Sequence, residues 1–332
     1  MRKTLLSAAA VGALLAAAPA FAGAPNVVVS IKPLHSLVAS VMAGVGEPKL
    51  IVDGVGSPHT YSMKPSNASD LAQADLVFWA GDHLEAFLVK PLETLGGKAT
   101  VVELIETPGL TKLKFREGGP FEAHTHAGEG HEAGHEEHEE HEAAEAGKDD
   151  HDHDHDEHGG FDMHFWLDPL NAKALTAEIE KRLAAADPEN ASIYEANAEK
   201  LDARLDALME KTKAEVAPVK DKPFIVFHDA YQYFENRFGL RAAGSITVSP
   251  ETMPGAQRVA AIKQKVSDLG ATCVFAEPQF EPKLISVVTE GTKAHTGTLD
   301  PEGAALANGP DLYFQLIDGL SSSLKACLSQ PS

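Results

Sequence analysis

The chain has 332 residues, of which 43% are hydrophobic, and its formal net charge at pH 7 is −21. This acidic balance argues against nucleic acid as a partner and favours cations. A chain of this length exceeds what one hydrophobic core comfortably serves, so we expect two domains.

The first 22 residues have the parts of a secretory signal peptide. A positively charged start precedes an apolar stretch over residues 5–19, and residues 20–22 read Ala-Phe-Ala, a typical cleavage site. The apolar stretch is too short for a comfortable transmembrane helix. We therefore expect the mature chain to begin near Gly23, outside the cytoplasm.

After the signal, short β-branched runs alternate with helical patterns over residues 23–186. This alternation predicts a parallel sheet flanked by helices, and we assign the region to an N-terminal lobe. Its predicted strands are residues 26–31, 49–52, 76–80 and 101–104. Its predicted helices are residues 32–42 and 66–74, a helix after Gly81, and residues 171–186.

Residues 187–217 are predicted to form a long helix that joins two lobes. Asp187 is a candidate N-cap, with Pro188 at the first helical position. No Gly or Pro follows until Pro218. A helix of about 28 residues would be roughly 42 Å long, which is more than one small domain needs. The alternative is a long surface helix of a single domain.

Residues 218–332 repeat the alternation and are assigned to a C-terminal lobe. Its predicted strands are residues 224–227, 243–246 and 273–276, with a loop at 297–301. Its predicted helices are residues 230–238 and 255–269 and a helix from about Pro282. The expected fold class is therefore α/β, with two lobes, each a mainly parallel sheet flanked by helices, joined by one long rigid helix. In such folds, ligands bind beyond the carboxyl ends of the strands.

The chain contains two cysteines, Cys273 and Cys327. In an oxidising compartment, we expect them to form a disulfide that holds the C-terminal helix and contributes roughly 4 kcal/mol in the chain-entropy model. A metal-binding pair is the alternative, but the spacing resembles no zinc motif.

An acidic, histidine-rich tract lies within residues 117–160. Between residues 122 and 158 there are fifteen carboxylates and one lysine. Such a segment has little to bury, so it is predicted to be a flexible loop, and its composition is typical of metal binding. Its candidate accessory ligands are His124, His126, His131, His135, His138, His141, His151, His153, His155 and His158.

Four further residues lie at predicted strand ends or beside proline-rich turns: His59, His164, His228 and Asp300. Three imidazoles and one carboxylate form a suitable tetrahedral set for Zn²⁺. Taken alone, each histidine is as readily a structural residue as a metal ligand. Taken together, in a chain that also carries the tract, they favour a metal site. Glu277 follows a predicted strand and is a candidate hydrogen-bond partner for one ligand histidine.

Five segments carry a resemblance to a known family: residues 58–66, 164–169, 227–231, 276–279 and 297–301. Together with the histidine tract placed just before His164, they resemble the periplasmic zinc-uptake binding proteins of ABC importers. These belong to a wider group of zinc and manganese solute-binding proteins. The resemblance covers essentially the whole mature chain and implies two α/β lobes on a long backbone helix.

The resemblance implies that His59, His164 and His228 are the metal ligands. Manganese members of the group carry Glu at the position of His228, so a third imidazole here favours Zn²⁺ over Mn²⁺. Many zinc members carry an acidic residue before the first histidine, whereas this chain has Pro58. That difference leaves the fourth ligand open, with Asp300 as the first choice and water as the second.

The implied function is capture of Zn²⁺ in the periplasm and its delivery to an inner-membrane ABC zinc permease. Zinc is then the transported ligand rather than a catalytic cofactor, and the chain is not an enzyme. The expected partners are the permease and, as a further candidate, a periplasmic zinc chaperone; the expected state is a monomer. Two alternatives are a secreted zinc-dependent hydrolase and a metal buffer or adhesin whose working part is the tract. Against the hydrolase, the sequence has no His-Glu-x-x-His motif and no evident general base.

Overall fold

The computed structural model of the protein describes residues 23–116, 121, 160–247, 253–270 and 272–331. The predicted signal peptide at residues 1–22 and all ten histidines of the tract lie outside the described residues. The described part contains two parallel four-stranded sheets flanked by helices. The predicted α/β class with two lobes is confirmed.

The first sheet is formed by β1 (Val27–Val29), β2 (Lys49–Leu50), β3 (Leu76–Trp79) and β4 (Thr100–Glu103). Its connecting helices are α1 (Lys32–Val41), α2 (Pro65–Ala72) and α3 (Ala86–Leu95). The strands are all parallel, in the order β2-β1-β3-β4. Every residue of β1 and β3 is buried, as expected for central parallel strands covered on both faces.

Two long helices follow, α4 (Pro169–Ala186) and α5 (Ala191–Val216). The predicted long joining helix is confirmed, but its α-helical part begins at Ala191 because residues 188–190 form a 3₁₀ turn. Asp187 does not cap it with a side-chain hydrogen bond. Instead, its Oδ2 accepts hydrogen bonds from Asn190 and from the hydroxyl of Tyr194, each at 2.8 Å, and so stabilises the bend between the two helices.

The second sheet is formed by β5 (Phe224–His228), β6 (Ala242–Thr247), β7 (Cys273–Ala276) and β8 (His295–Thr298). Its helices are α6 (Gln232–Phe238), α7 (Ala256–Leu269) and α8 (Lys283–Thr289). The parallel order is β6-β5-β7-β8, which repeats the connectivity of the first sheet. Part of the predicted loop at residues 297–301 is therefore the end of the edge strand β8.

The last helix, α9 (Leu312–Leu328), packs against α1, α5 and β8. The disulfide between Cys273 and Cys327 is present and joins the start of β7 to α9, which confirms its prediction. Buried residues of both sheets and of α1, α4, α5 and α9 belong to one hydrophobic cluster. One core therefore includes residues of both sheets, while a second, smaller cluster lies within the second sheet and its helices. None of the helices described is both long enough and apolar enough to cross a membrane.

Candidate metal centre

Three histidines reach one point from separate parts of the fold. His59 is half-buried in a turn of the long loop after β2, where the backbone N–H of Thr60 donates to the carbonyl of Ser57 at 3.2 Å. His164 precedes a 3₁₀ turn that leads into α4, and His228 is the last residue of β5. Each position therefore lies on a loop or strand end, where ligands bind in folds of this class.

The loops that carry His59 and His164 end sharply at the helices that follow them. Pro65 occupies the start of α2 and Pro169 the start of α4, where a proline costs no hydrogen bond and has the required φ. Asp168 caps α4, because its side chain accepts a hydrogen bond from the backbone N–H of Leu170 at 2.8 Å. These helix starts limit the positions that the two imidazoles can take.

The three imidazole rings have centroids 5.1 to 5.8 Å apart. One donor atom of each ring lies within 4.8 Å of the donor atoms of the other two. The Nε2 atoms of His164 and His228 are 3.3 Å apart. For a tetrahedral zinc with Zn–N bonds of 2.0–2.1 Å, two ligand nitrogens are roughly 3.3–3.4 Å apart. This pair therefore already has the spacing of a tetrahedral zinc site.

Two carboxylates orient the rings of His164 and His228 by contacting their Nδ1 atoms. Asp162 Oδ1 lies 2.8 Å from Nδ1 of His164, and both oxygens of Glu277 lie 2.7 Å from Nδ1 of His228. A carboxylate only accepts hydrogen bonds, so each Nδ1 carries the proton and donates it. Each Nε2 then presents a lone pair to its neighbour, an arrangement that a bound cation stabilises.

The sequence predicted the partnership of Glu277 with a ligand histidine, and this hydrogen bond is present. The sequence analysis did not identify Asp162 as the partner of His164. The position of this carboxylate two residues before the histidine could have indicated it. Asp162 Oδ1 also accepts a hydrogen bond from the backbone N–H of His164 at 3.0 Å. One carboxylate thus fixes both the backbone and the ring of this histidine.

Asp300 lies outside the group formed by the three histidines. Its Oδ1 accepts hydrogen bonds from the side chain of Gln279 at 3.0 Å and from the backbone N–H groups of Glu302 at 3.2 Å and Gly303 at 2.9 Å. In this position Asp300 stabilises the turn that follows β8. The structure thus brings together three of the four residues predicted as ligands.

The space enclosed at the site is small, about 10 Å³. It is lined by the three histidines and by Ser57, Pro58, Glu277, Gln279, Phe280, Pro301 and Glu302. The sequence did not identify Gln279 and Glu302 as residues that line the site. Burial raises the pKa of the Glu302 carboxyl well above its usual value, and the nearby Asp300 and Glu85 raise it further. A volume of this size accommodates about one water-sized sphere, so the site suits one ion rather than an organic molecule.

Trp166 joins the two sides of the site. Its ring centroid is 5.3 Å from that of His164, and its Nε1 donates to the carbonyl of Pro301 at 2.9 Å. The hydroxyl of Tyr313 donates to the carbonyl of Trp166 at 2.7 Å. Since Trp166 is fully buried, it packs one wall of the site against the core.

Comparison with known proteins agrees with this arrangement. The chain matches a protein-family model described as "ZnuA: Zinc-uptake complex component A periplasmic" over residues 27–327. It is 60% identical over 307 residues to the high-affinity zinc uptake system protein ZnuA of Brucella suis biovar 1, covering 92% of each chain. Its identity to the protein of the same name from Yersinia pestis is 38% over 326 residues, covering 98% of each chain.

A solved structure titled "Crystal structure of ZnuA" superimposes with a TM-score of 0.72 at 22% sequence identity. The superposition covers 92% of this chain and 100% of the other. At this identity, the structural likeness demonstrates the fold alone, whereas the sequence matches demonstrate the family. The chain therefore belongs to the ZnuA family of periplasmic zinc-uptake components, which confirms the resemblance noted in its sequence.

Proposed function

We propose that this protein is the periplasmic zinc-binding component of an ABC importer, which captures Zn²⁺ at His59, His164 and His228 and delivers it to a membrane permease. The observation that carries the proposal is the convergence of three imidazoles on a space sized for one ion. Its relatives named as high-affinity zinc uptake proteins support the same conclusion.

The donor set favours zinc among divalent metals. Imidazole nitrogen suits Zn²⁺, whereas Mn²⁺ and Mg²⁺ prefer carboxylate, carbonyl and water oxygen. Cu²⁺ binds nitrogen more tightly in general but prefers a tetragonal geometry. The 3.3 Å separation of the His164 and His228 Nε2 atoms corresponds to a tetrahedral edge. Geometry and ligand type therefore both select zinc.

A fourth ligand would complete the tetrahedron. We propose Asp300 for this position, with water as the alternative. Because Oδ1 of Asp300 holds the turn after β8, Oδ2 is the oxygen that would turn toward the metal. Replacing Asp300 by Asn keeps an oxygen to hold the turn. It should weaken zinc binding if the carboxylate binds the metal, and should leave it nearly unchanged if water does.

The chain is a transport component rather than an enzyme, as its family shows. The site agrees with that assignment, since its space of about 10 Å³ suits a single ion. Binding without chemistry is what a carrier requires, because the ion must leave unchanged.

The histidine tract extends the proposal. Its ten histidines, from His124 to His158, would bind zinc at several weak, exchangeable positions and raise its local concentration near the main site. We further propose that the signal peptide is cleaved near Gly23 and that the mature chain is a monomer. A periplasmic zinc chaperone would be its second partner, beside the permease.

The test is a zinc titration against a competing chelator, with the mature chain, the His59→Ala variant and a deletion of residues 122–158. We expect a tight site that survives the deletion and is lost in His59→Ala, with Mn²⁺ competing poorly. Weak sites should disappear with the tract. If tight binding instead depends on the tract and is indifferent to His59, the protein is a metal buffer and the proposal is wrong.

A further inference from the structure

The two ends of the segment that contains the histidine tract run side by side where they join the fold. The backbone N–H of Phe115 donates to the carbonyl of Gly160 at 3.2 Å, and that of Asp162 donates to the carbonyl of Leu113 at 2.8 Å. An antiparallel bridge pairs Lys114 with Phe161. We call residues 113–116 and 160–162 the neck. The neck ends at Asp162, the carboxylate that orients His164.

The neck comes from the first lobe but is seated on α6 of the second. The hydroxyl of Tyr233 accepts a hydrogen bond from the backbone N–H of Leu113 at 3.0 Å and donates to the carbonyl of Asp162 at 2.7 Å. The side chain of Gln232 donates to the carbonyl of Lys114 at 3.0 Å. One face of α6 therefore holds both strands of the neck.

Arg116, at the end of the first neck strand, completes this attachment. Its guanidinium donates to both oxygens of Asp229 and to both oxygens of Glu235. The side chains of the two acids are each only 4% exposed. A guanidinium has the planar fork of donors that two carboxylates require, and a lysine ammonium does not. The Cζ atom of Arg116 also lies 4.2 Å from the ring centroid of Phe121.

Asp229 directly follows the metal-site residue His228. Through Arg116, the turn after His228 is tied to the neck, and through Asp162 the neck is tied to His164. The Arg116 ion pairs thus link the turn after His228 to the segment before His164, beside the hydrogen bonds that Tyr233 and Gln232 make to the neck. Loss of the guanidinium would leave two buried carboxylates without their counter-charge and would release the end of the neck from the second lobe.

We propose that Arg116 is a positioning residue for the zinc site, which sets the spacing of His164 and His228 through the neck. This inference rests on the proposed function of the three histidines. The neck would thus contribute to tight zinc binding at the three histidines, independently of the histidines of the tract. The tract beyond the neck would not be needed for that site.

The experiment compares Arg116→Ala and Arg116→Lys with a control, Arg182→Ala. Arg182 lies on α4 and makes an ion pair with the buried Glu178, away from the three histidines. Zinc affinity is measured by chelator competition, and the ligand geometry by the visible absorption of bound Co²⁺. Melting temperature reports general destabilisation.

We expect Arg116→Ala to weaken zinc binding by about 10-fold, the lower end of the range for groups that hydrogen-bond a metal ligand directly, because Arg116 acts through Asp229 and the neck. Arg116→Lys should recover less than half of the loss on a logarithmic scale, because it lacks the fork. Both should change the Co²⁺ spectrum. Arg182→Ala should lower the melting temperature yet keep the zinc affinity within about threefold and the Co²⁺ spectrum unchanged.

A pair of deletions adds a second test that does not depend on one side chain. Removing residues 122–158 keeps the neck and should preserve the tight site, whereas removing residues 113–161 should weaken it by at least the Arg116→Ala factor. The inference is overturned if Arg116→Ala binds zinc as the parent does, or if Arg182→Ala weakens binding equally. A parent chain with no tight site would instead refute the proposed function.

Discussion

Replacing Glu277 by Gln would remove the negative charge behind His228 while nearly preserving the shape of the side chain. Both Glu277 oxygens lie 2.7 Å from Nδ1 of His228, and the side chain is buried. The amide of Gln offers one accepting oxygen without the charge, and charge-assisted hydrogen bonds are roughly twice as strong as neutral ones. The imidazole would then be a weaker donor of its Nε2 lone pair to zinc.

The expected cost in zinc affinity is about 10- to 100-fold, as for other carboxylates that orient a ligand histidine. This corresponds to roughly 1.4–2.7 kcal/mol of binding free energy. The stability of the zinc-free protein should fall little or rise, because a buried charge is removed. A loss of zinc affinity without a comparable loss of stability distinguishes this effect from a general loss of structure.

The assay is chelator competition at neutral pH, accompanied by thermal unfolding without metal. Glu178→Gln is the matched control, since Glu178 is a buried carboxylate on α4 whose partners are Lys181 and Arg182, away from the site. It should leave zinc affinity unchanged. A Glu277→Gln variant that binds zinc as tightly as the parent would refute the argument that this carboxylate activates His228.

Further predictions concern stability and metal choice. Replacing both Cys273 and Cys327 by Ser opens a loop closed across 54 residues and should lower the free energy of unfolding by about 4 kcal/mol in urea titrations, with zinc binding retained. Burial raises the pKa of Glu85 from 4.5 to about 7, so the stability linked to its neutral form is complete below about pH 4.5 and is lost as the pH rises through 7. Glu85→Gln should therefore stabilise the protein by on the order of 3 kcal/mol at pH 8 and by little at pH 4.5; an equal effect at both values would contradict the assignment. His228→Glu should reduce the preference for Zn²⁺ over Mn²⁺ in competition titrations, because it replaces a nitrogen ligand by oxygen.

The two central strands of the first sheet were predicted from their continuous apolar sequence. Val27–Val29 and Leu76–Trp79 are buried at every position, and burial on both faces is what produces such runs. The edge strand His295–Thr298 has alternating half-buried and exposed residues and contains Gly297, so its sequence resembles a loop. Its strand character comes from pairing with β7, which no local pattern encodes.

The site shows a similar division. His59, His164 and His228 were proposed as ligands because His59 lies beside a proline-rich turn, His164 follows the histidine tract and His228 lies at a strand end. The structure brings the three together. Asp300 was proposed on the same ground, yet its Oδ1 binds backbone N–H groups two and three residues later. Asp followed by Pro, Glu and Gly is also a turn signature, and residue type alone cannot separate that role from metal binding. The contribution of Arg116 depends on contacts across more than a hundred residues of sequence, so it required the folded structure.

The most direct measurement of the zinc site is X-ray absorption at the zinc edge, on protein lacking residues 122–158 and loaded with one equivalent of Zn²⁺. We expect three imidazole nitrogens at about 2.0–2.1 Å, one further oxygen or nitrogen ligand, and the loss of one imidazole in His59→Ala. A zinc environment dominated by oxygen, or one that is unchanged in His59→Ala, would contradict the three-histidine site.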